Sequence, residues 1–377
     1  MTERKLRFAL VGCGRVSENH AAALAGGKIP TTLVAVCDVD PALADAKGKK
    51  HNVPSFTDYH SMMRAHPEIE AISIATPTGY HARHVIDLAR YGKHIVVEKP
   101  MALRVEDCDA MTAACRKSGA RLFVVKQNRF NPAVVAARQA MEEGRFGKMV
   151  MGTVRVRWQR TQQYYEQDNW HGTWELDGGV MSQQASHHLD LLQWFLGPVE
   201  SVQCQTATRL MDIEVEDTAL AMIRFSSGAL GAFEATVAAR PESLEGSLSL
   251  MGEHGSVVIG GPAVNRVEYW KFDQARPQDA QITFSSEEVP NVYGRGHGPY
   301  LGSVAMAIME NRPALVEGDE GTKNVRILAA LYESAASGGM AVRPGDPIVH
   351  SKLGQSPAPP RVEARRARKP QTALSRA

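Results

Sequence analysis

Residues 6–20 read LRFALVGCGRVSENH, in which a short apolar run leads through a glycine turn into a polar, helix-like segment. In a dinucleotide-binding unit, the first glycine of such a turn permits the tight bend, and the second lets the backbone approach a pyrophosphate at the helix N-terminus. The third position needs only a small residue, and Ser17 satisfies it. A plain glycine turn between a strand and a helix is the alternative. The cofactor residues predicted from the turn are Gly12, Gly14, Arg15 and Val16.

The second apolar run, TTLVAVCD, ends in Asp38, which lies 24 residues beyond Gly14. At about 20 residues past the glycine turn, an acidic side chain reaches the adenosine ribose of a bound dinucleotide. A carboxylate there accepts hydrogen bonds from both ribose hydroxyls and repels a 2′-phosphate. Asp38 therefore predicts NAD in preference to NADP, and an aspartate that merely ends a strand is the alternative.

Short apolar runs go on alternating with amphipathic segments as far as residue 125. Such a repeat of strand and helix predicts a parallel sheet with helices on both faces. Gly92 and Gly119 each follow a helical segment, at the place where a glycine ends a helix. Residues 1–126 are thus predicted to form an α/β Rossmann domain that binds NAD.

Beyond Asn131-Pro132, which opens a bridging helix, the pattern changes to longer alternating strands. Short turns at residues 226–228 and 253–255 join two pairs of them, and the helical segment SQQASHHLDLLQWFLG interrupts the series. Residues 127–350 are predicted to form an α+β domain with an open, mainly antiparallel sheet, used for substrate binding and oligomerisation. Residues 351–377 are rich in Pro, Ala and Arg and carry a net charge of +6, which predicts a disordered basic tail.

The composition, 44% hydrophobic and 22% charged, is typical of a globular protein. No apolar run is long enough for a signal peptide or for the ~20 residues that span a bilayer, so we expect a cytoplasmic protein with no membrane partner. The five cysteines include no CxxC pair and no cluster has metal-ligand spacing, so no metal is predicted. The body of the chain is mildly acidic and the basic tail is most simply a solvated terminus, so no nucleic-acid partner is predicted.

Four ordered segments carry a family resemblance: Gly12 to His20, ATPTGYH (75–81), EKP (98–100) and the helix from His187 to Gly197. In these the chain resembles the Gfo/Idh/MocA oxidoreductases, the family of glucose-fructose oxidoreductase and inositol dehydrogenase. The segments also fall at strand ends, where an open α/β sheet binds its ligands. The resemblance implies further cofactor contacts by Thr76, Pro77, His81, Glu98, Lys99, Gln127, Trp170 and His171.

The same resemblance implies the catalytic residues. In the EKP motif the lysine contacts both the cofactor and the reacting hydroxyl, which makes Lys99 the proton carrier. A lysine beside the positive nicotinamide has a lowered pKa, because a like charge and desolvation disfavour its charged form. His187 matches the family's catalytic histidine, and Gln183 stands where the family has an aspartate four residues earlier, so Gln183 can only hydrogen-bond substrate. His171, beside Trp170, replaces a family arginine.

Within the family, the chain is most similar to enzymes that oxidise the C3 hydroxyl of a UDP-linked N-acetylated amino sugar acid, UDP-N-acetylglucosaminuronate, to the 3-keto sugar for lipopolysaccharide and other surface polysaccharides. The diphosphate and carboxylate of such a substrate need cations and hydrogen-bond donors. Arg155 and Arg157 alternate with valines on a strand and are expected on a solvated or interface face. The predicted substrate residues are Lys99, Asn128, Arg129, Arg160, Tyr164, Tyr165, Gln183 and His187.

Other functions stay open from the sequence. A different sugar or inositol dehydrogenase of the family would keep Lys99 and His187 but need no nucleotide pocket. A non-catalytic NAD-binding regulator is a second alternative, against which the retained Lys99 and His187 argue. The resemblance also implies a homotetramer or homodimer, and it leaves open whether NADH is released or reoxidised in place by a second substrate such as 2-oxoglutarate.

Overall fold

The apolar runs of the N-terminal part form a six-stranded parallel sheet with the strand order 3-2-1-4-5-6 of a Rossmann fold. In the computed structural model, residues 4–289 and 292–356 are described. The first elements are β1 (Leu6–Val11), α1 (Ser17–Ala25), β2 (Thr31–Cys37), α2 (Pro41–His51), β3 (Ser55–Phe56), α3 (Tyr59–Ala65), β4 (Ala71–Ile74), α4 (His81–Ala89), β5 (His94–Val97), α5 (Val105–Lys117) and β6 (Leu122–Val124). The predicted Rossmann domain is confirmed, and the two-residue strand β3 is an addition to it.

A second sheet of seven strands occupies the rest of the chain. Its elements are α6 (Pro132–Glu142), β7 (Met149–Arg157), α7 (Gln162–Glu166), α8 (Val180–Gln183), α9 (Ser186–Leu196), β8 (Val199–Ala207), β9 (Thr218–Phe225), β10 (Leu230–Thr236), β11 (Glu245–Gly252), β12 (Gly255–Gly260), β13 (Arg266–Phe272), α10 (His297–Met309) and α11 (Gly318–Ala336). Short 3₁₀ segments lie at Thr78–Tyr80, Gln127–Phe130 and Pro277–Ser285.

The second sheet has the order β13-β12-β11-β7-β10-β9-β8. Both predicted hairpins, β9 with β10 and β11 with β12, are present and antiparallel. The central pair of β7 and β10 is parallel, because β7 inserts between strands that come later in the chain. The sheet is therefore mixed but mainly antiparallel, as predicted.

One face of this sheet is covered and the other is open. Helix α9 packs so closely on the covered face that a Cβ atom at Gly152 of β7 would lie 2.8 Å from side-chain atoms of Leu192 and Leu196. On the open face, strand residues alternate with the buried ones. There Arg155 and Arg157 form ion pairs with Glu234 and Glu245 of neighbouring strands, as expected for a solvated or interface face.

Helix α10 belongs to the core of the first sheet although it lies far along the chain. Its residues Tyr300, Leu301, Val304 and Ala305 share one apolar cluster with Leu6, Phe8 and Leu10 of β1 and with α1. The opposite face of the sheet is covered by α3, α4 and α5. The second half of the chain thus completes the Rossmann core.

Part of the predicted tail is packed. Leu353 joins the core of the second domain, and the backbone N–H of Gly354 donates to Trp174 O at 2.8 Å. The boundary predicted at residue 351 is therefore too early, because Ser351 also donates its N–H to Glu333, a contact that tail composition does not reveal. Residues 357–377 lie outside the described residues. Within the described ranges, no helix is both long and apolar enough to cross a membrane.

Candidate active site

A cavity of about 1130 Å³ lies between the two sheets, at the carboxyl ends of the parallel strands. This is the edge at which an open α/β sheet binds ligands. Residues that follow β1, β2, β4 and β5 form one wall, and the segment from Arg160 to His171 forms another. Sixteen of the predicted site residues line it: Gly12, Gly14, Arg15, Val16, Asp38, Thr76, Pro77, Glu98, Lys99, Gln127, Arg160, Tyr164, Trp170, His171, Gln183 and His187.

The glycine turn has the features that a pyrophosphate requires. Gly12 has a φ of +93°, and a Cβ atom there would lie 2.6 Å from the carbonyl oxygen of Ala75, so only glycine fits. A Cβ atom at Gly14 would meet nothing within 4 Å, because this backbone borders the cavity. The turn therefore offers backbone at the N-terminus of α1 without a side chain in the way.

Asp38 is fixed at the same end of the cavity. Its Oδ2 accepts a hydrogen bond from the backbone N–H of Cys13 at 2.7 Å, and its Oδ1 accepts from the N–H of Asp40 at 2.9 Å. Two backbone donors hold the carboxylate in the cavity wall, where it can meet ribose hydroxyls. The residues present thus fit an NAD adenosine half.

Lys99 follows β5 and reaches the middle of the cavity wall. Its Nζ donates to the main-chain oxygen of Gln183 at 2.7 Å and lies 3.4 Å from Gln183 Oε1. Burial lowers the pKa of Lys99, and the positive charges of Lys126 and Arg160 act in the same direction. The geometry therefore favours an amine that can lose and regain a proton more easily than an exposed lysine.

His187 lies at the start of α9 and is 8% exposed. Its Nε2 is 2.9 Å from the side-chain nitrogen of Gln127, and its Nδ1 has no hydrogen-bond partner among the described residues. Burial holds the pKa of His187 well below the ordinary histidine value, and the charges of Lys99 and Lys126 add to this. The imidazole is therefore neutral near pH 7, with one ring nitrogen left for a ligand.

Glu98 is held in a buried network beside Lys99. Its Oε1 accepts from His20 Nε2 at 2.8 Å, and its Oε2 accepts from the backbone N–H of Lys99 at 2.9 Å. His297 Nε2, from α10, is 3.5 Å from Oε1. These three side chains, His20, Glu98 and His297, are the one group in the described part of the chain that is compact enough to hold a metal ion. His20 already has a partner at each ring nitrogen, Glu98 and Ser73, so these side chains form a hydrogen-bonded network in which Glu98 also holds the backbone of Lys99.

Four predicted site residues lie outside the cavity wall. His81 is buried beneath it, with Nδ1 2.9 Å from Pro100 O and Nε2 2.9 Å from Thr76 O, so it joins the two loops that follow β4 and β5. Arg129 is 2% exposed and forms a bidentate pair with Asp190, which fixes it in the core. Tyr165 packs in the apolar core of the second domain, and Asn128 is also buried away from the cavity.

The wall on the side of the second domain is aromatic and cationic. Arg160 lies over the rings of Trp158 and Tyr164, 5.6 and 5.1 Å from their centroids. His171 stacks on Trp170 with 3.7 Å between ring centroids. Its Nδ1 contacts Asp168 Oδ1 at 2.7 Å, which fixes the orientation of the ring.

Sequence reasoning missed several residues of the wall. Trp158 and Gln184 line the cavity, and Trp158 Nε1 and Gln184 Oε1 have no hydrogen-bond partner among the described residues. Buried polar atoms of this kind are normally satisfied, so they mark places for ligand hydroxyls. The position of Gln184 beside Gln183 was the one available signal. Asp177, buried behind Gln183, was also missed, because its segment resembles an ordinary turn.

Comparison with known proteins identifies the family. Residues 6–126 match the family model "Oxidoreductase family, NAD-binding Rossmann fold", and residues 134–258 match "GFO/IDH/MocA C-terminal domain". The WlbA dehydrogenase from Bordetella pertussis, solved with NADH and UDP-GlcNAcA, is 43% identical; the match covers 91% of this chain and 99% of that one, with a TM-score of 0.85. The chain belongs to the Gfo/Idh/MocA oxidoreductase family.

Two further relatives have lower sequence identity to this chain. The WlbA dehydrogenase from Chromobacterium violaceum, also solved with NADH and UDP-GlcNAcA, is 41% identical, covering 91% of this chain and 97% of that one, with a TM-score of 0.84. The levoglucosan dehydrogenase of Pseudarthrobacter phenanthrenivorans is 24% identical, covering 94% of this chain and 97% of that one. The chain is an NAD-dependent dehydrogenase that acts on a CH–OH group.

Proposed function

We propose that this chain oxidises the C3 hydroxyl of UDP-GlcNAcA, a UDP-linked N-acetylated amino sugar acid, to the 3-keto sugar with NAD. The observation that carries the proposal is the similarity to the two WlbA dehydrogenases, which covers 91% of the chain in each case. Dehydrogenases of other sugars and inositols share the family at lower identity.

In this proposal the chain's own residues perform the proton transfer. Lys99 Nζ, when neutral, takes the proton of the sugar hydroxyl, since its pKa is lowered by burial. The neutral ring of His187 hydrogen-bonds the same oxygen through Nδ1 and orients it, and Gln183 accepts from Lys99 and the sugar. When bound, NAD accepts the hydride at its nicotinamide ring. One positioned base and correct orientation suffice for this oxidation.

Arg160 is the proposed contact for a negative group of the substrate. Its side chain lies in the cavity wall between two aromatic rings, and its Nε, among the described residues, has no acceptor. A guanidinium with a free donor binds a carboxylate or a phosphate with direction as well as charge. Tyr164 lies beside it in the wall and adds a hydroxyl.

The proposal extends to the setting of the reaction. The ketone product is made in the cytoplasm, and an aminotransferase consumes it during lipopolysaccharide or related surface polysaccharide synthesis. The same experiment tests whether 2-oxoglutarate reoxidises NADH while it is still bound. Such reoxidation lowers the amount of NADH formed per ketone.

The test is a substrate panel with the purified full chain and NAD, in which NADH and ketone are both measured. UDP-GlcNAcA is compared with UDP-GlcNAc, which lacks the carboxylate, and with levoglucosan and scyllo-inositol, each with and without 2-oxoglutarate. We expect the highest kcat/KM for UDP-GlcNAcA, and deuterium placed at C3, but not at C4, should appear in the reduced cofactor. Faster oxidation of a free sugar or inositol would refute the substrate, and deuterium transfer from C4 would refute the position.

A further inference from the structure

Asp177 lies one hydrogen bond behind the residue that contacts Lys99. It is 1% exposed, in the segment between Trp170 and α8. Its Oδ1 accepts from Gln183 Nε2 at 2.6 Å, and its Oδ2 accepts from the backbone N–H of Gly172 at 2.7 Å. Each carboxylate oxygen therefore accepts an N–H, one from the side chain of Gln183 and one from the turn at Gly172.

We propose that Asp177 is a positioning residue for Lys99, which it controls through the side-chain amide of Gln183. The inference rests on the proposed role of Lys99 as the base. Because the amide nitrogen of Gln183 is committed to Asp177, the amide oxygen is the atom presented to Lys99 Nζ, at 3.4 Å. Without the carboxylate, the amide nitrogen of Gln183 loses its acceptor, and the amide oxygen is no longer fixed towards the amine of Lys99.

The same carboxylate connects Lys99 to the aromatic wall of the cavity, because its second oxygen holds the turn that follows Trp170 and His171. Gly172 has a φ of +74°, and a Cβ atom there would lie 2.8 Å from Ile213, so this turn has little freedom of its own. Asp177 thus links the amide that faces the base to the aromatic wall by direct hydrogen bonds.

Several charges act on this pair. Lys99 is influenced by Glu98 and Asp177, which favour its charged form, and by Lys126 and Arg160, which oppose it; His187, His188 and His297 lie close enough to feel its charge. Burial raises the pKa of Asp177 to about 8, against hydrogen bonds from Gly172 and Gln183 and the charge of Lys99, while Glu216 adds to the rise. The phenols of Tyr164 and Tyr165 also respond to Asp177.

The sign of the effect follows from these charges. Above its raised pKa of about 8, Asp177 is an anion that stabilises the protonated amine of Lys99. The neutral amide introduced by Asp177→Asn should therefore lower the pKa of Lys99, by about one pH unit for the loss of an opposite charge. The matched control is Glu333→Gln, which neutralises a second buried carboxylate that accepts the N–H groups of Val349 and His350 and is not among the charges named for Lys99 and Asp177.

The experiment measures Lys99 itself. The full chain, with NAD, is labelled with an acylating reagent across a pH series, and mass spectrometry follows the peptide that contains Lys99. We expect the midpoint of Lys99 labelling to fall by about one pH unit in Asp177→Asn and to stay in place in Glu333→Gln. The pH profile of kcat/KM should shift with it. An unchanged midpoint in Asp177→Asn would overturn the positioning role.

A second variant covers the case in which Asp177→Asn does not fold. Gln183→Met removes the amide that carries the effect, so the Lys99 midpoint should again move downward, and an unchanged midpoint contradicts the proposal. Where all variants fold, Asp177→Asn should cause little further loss of kcat in the Gln183→Met background, because both changes break one connection. Labelling needs no sugar, so a shifted midpoint without turnover of UDP-GlcNAcA would count against the proposed substrate and leave the positioning role standing.

Discussion

The carboxylate of Asp38 has little freedom to move, since backbone N–H groups hold both of its oxygens at the cavity wall. A 2′-phosphate placed there would face a fixed like charge, which costs several kcal/mol. We therefore expect NAD to bind at least ~100-fold more tightly than NADP. Titration calorimetry with both cofactors checks this, and Asp38→Ser should narrow the ratio whereas Asp45→Asn, outside the cavity wall, should not. Equal binding of the two cofactors by the unaltered chain would remove the role given to Asp38.

Lys99 carries the second prediction at this scale. If its amine is the base, Lys99→Ala should lower kcat by ~100-fold to 10,000-fold while NAD still binds at the glycine turn. Lys99→Arg should be equally inactive, because a guanidinium does not release its proton near neutral pH. In the unaltered enzyme, kcat/KM should rise with pH through the pKa of Lys99, which burial lowers from its ordinary value. Retention of most of the turnover in Lys99→Ala would contradict the mechanism.

The same steady-state kinetics should distinguish the roles of Gln183 and His187 from that of Lys99. Gln183 cannot take a proton, so Gln183→Ala should raise KM more than it lowers kcat. His187→Ala should cost less than Lys99→Ala if the neutral ring only orients the hydroxyl, and a comparable factor if the two residues share the proton.

At the scale of elements, one buried ion pair joins the 3₁₀ turn at Gln127–Phe130 to α9. Arg129 donates twice to Asp190, at 2.8 and 2.9 Å, and Lys126 Nζ lies 3.3 Å from the same carboxylate. Breaking such a pair leaves a charge without its partner in the core, which costs about 3–5 kcal/mol. We expect Arg129→Met to lower the free energy of unfolding by about this much, measured by urea denaturation, with KM unchanged in the folded fraction.

The double variant Arg129→Met with Asp190→Leu should recover none of that loss, because it leaves the buried Lys126 without the carboxylate that it contacts. A large rise in KM with an unaltered free energy of unfolding would contradict this structural role and support the substrate-binding role that the sequence predicts for Arg129.

Glu333 of α11 anchors the segment that follows residue 348. Its Oε2 accepts from the backbone N–H groups of Val349, His350 and Ser351 at 2.8–3.0 Å. Burial opposes ionisation, but the hydrogen bonds from His350 and these backbone groups outweigh it and lower the pKa of Glu333 to about 2. The resulting stability is therefore fully present above the ordinary value of 4.5 and is lost as the pH falls from there towards 2.

Glu333→Gln should consequently lower the melting temperature at pH 7, with a loss on the order of 2–3 kcal/mol for a hydrogen-bonded charge. The difference from the unaltered chain should shrink as the pH falls below 4.5, which thermal melts across pH would reveal. A difference that is constant with pH would mean that shape, and not charge, matters at this position.

Features that depend on neighbouring residues were predicted from the sequence. Features that depend on contacts between residues far apart in the chain were missed. The glycine turn, Asp38 and the strand that ends at Lys99 follow one another in an order that is typical of a Rossmann unit, so fold and cofactor were predictable. Arg129 and Arg160 both looked like cleft cations, and what separates them is Asp190, a partner 61 positions from Arg129. Asp177 and the parallel pairing of β7 with β10 likewise depend on contacts that no local pattern encodes.

For the whole molecule, the open face of the second sheet is the feature that remains to be covered. Leu220 and Met222 of β9 are 58% and 64% exposed, and Leu230 pairs with Met151 on neighbouring strands of the same face. Contiguous apolar surface of this kind usually marks a protein interface. We propose that a second copy of the chain packs on this face, in a homodimer or within a homotetramer.

Sedimentation velocity tests this directly. The chain should sediment as an oligomer, and Leu220→Asp with Met222→Asp should shift it to the monomer. Val135→Asp, at another exposed apolar position on α6, should leave the assembly intact. A monomeric unaltered chain at micromolar concentration would refute the predicted interface.

The position of α10 in the first core has a consequence for how the chain is made. Phe8 and Leu10 are translated long before Tyr300 and Leu301, which share their apolar cluster. Domains commonly fold during synthesis as soon as they emerge. Here part of one face of the sheet, beside α1, stays uncovered until α10 has been translated. The nascent chain therefore exposes apolar surface to which a ribosome-associated chaperone can bind.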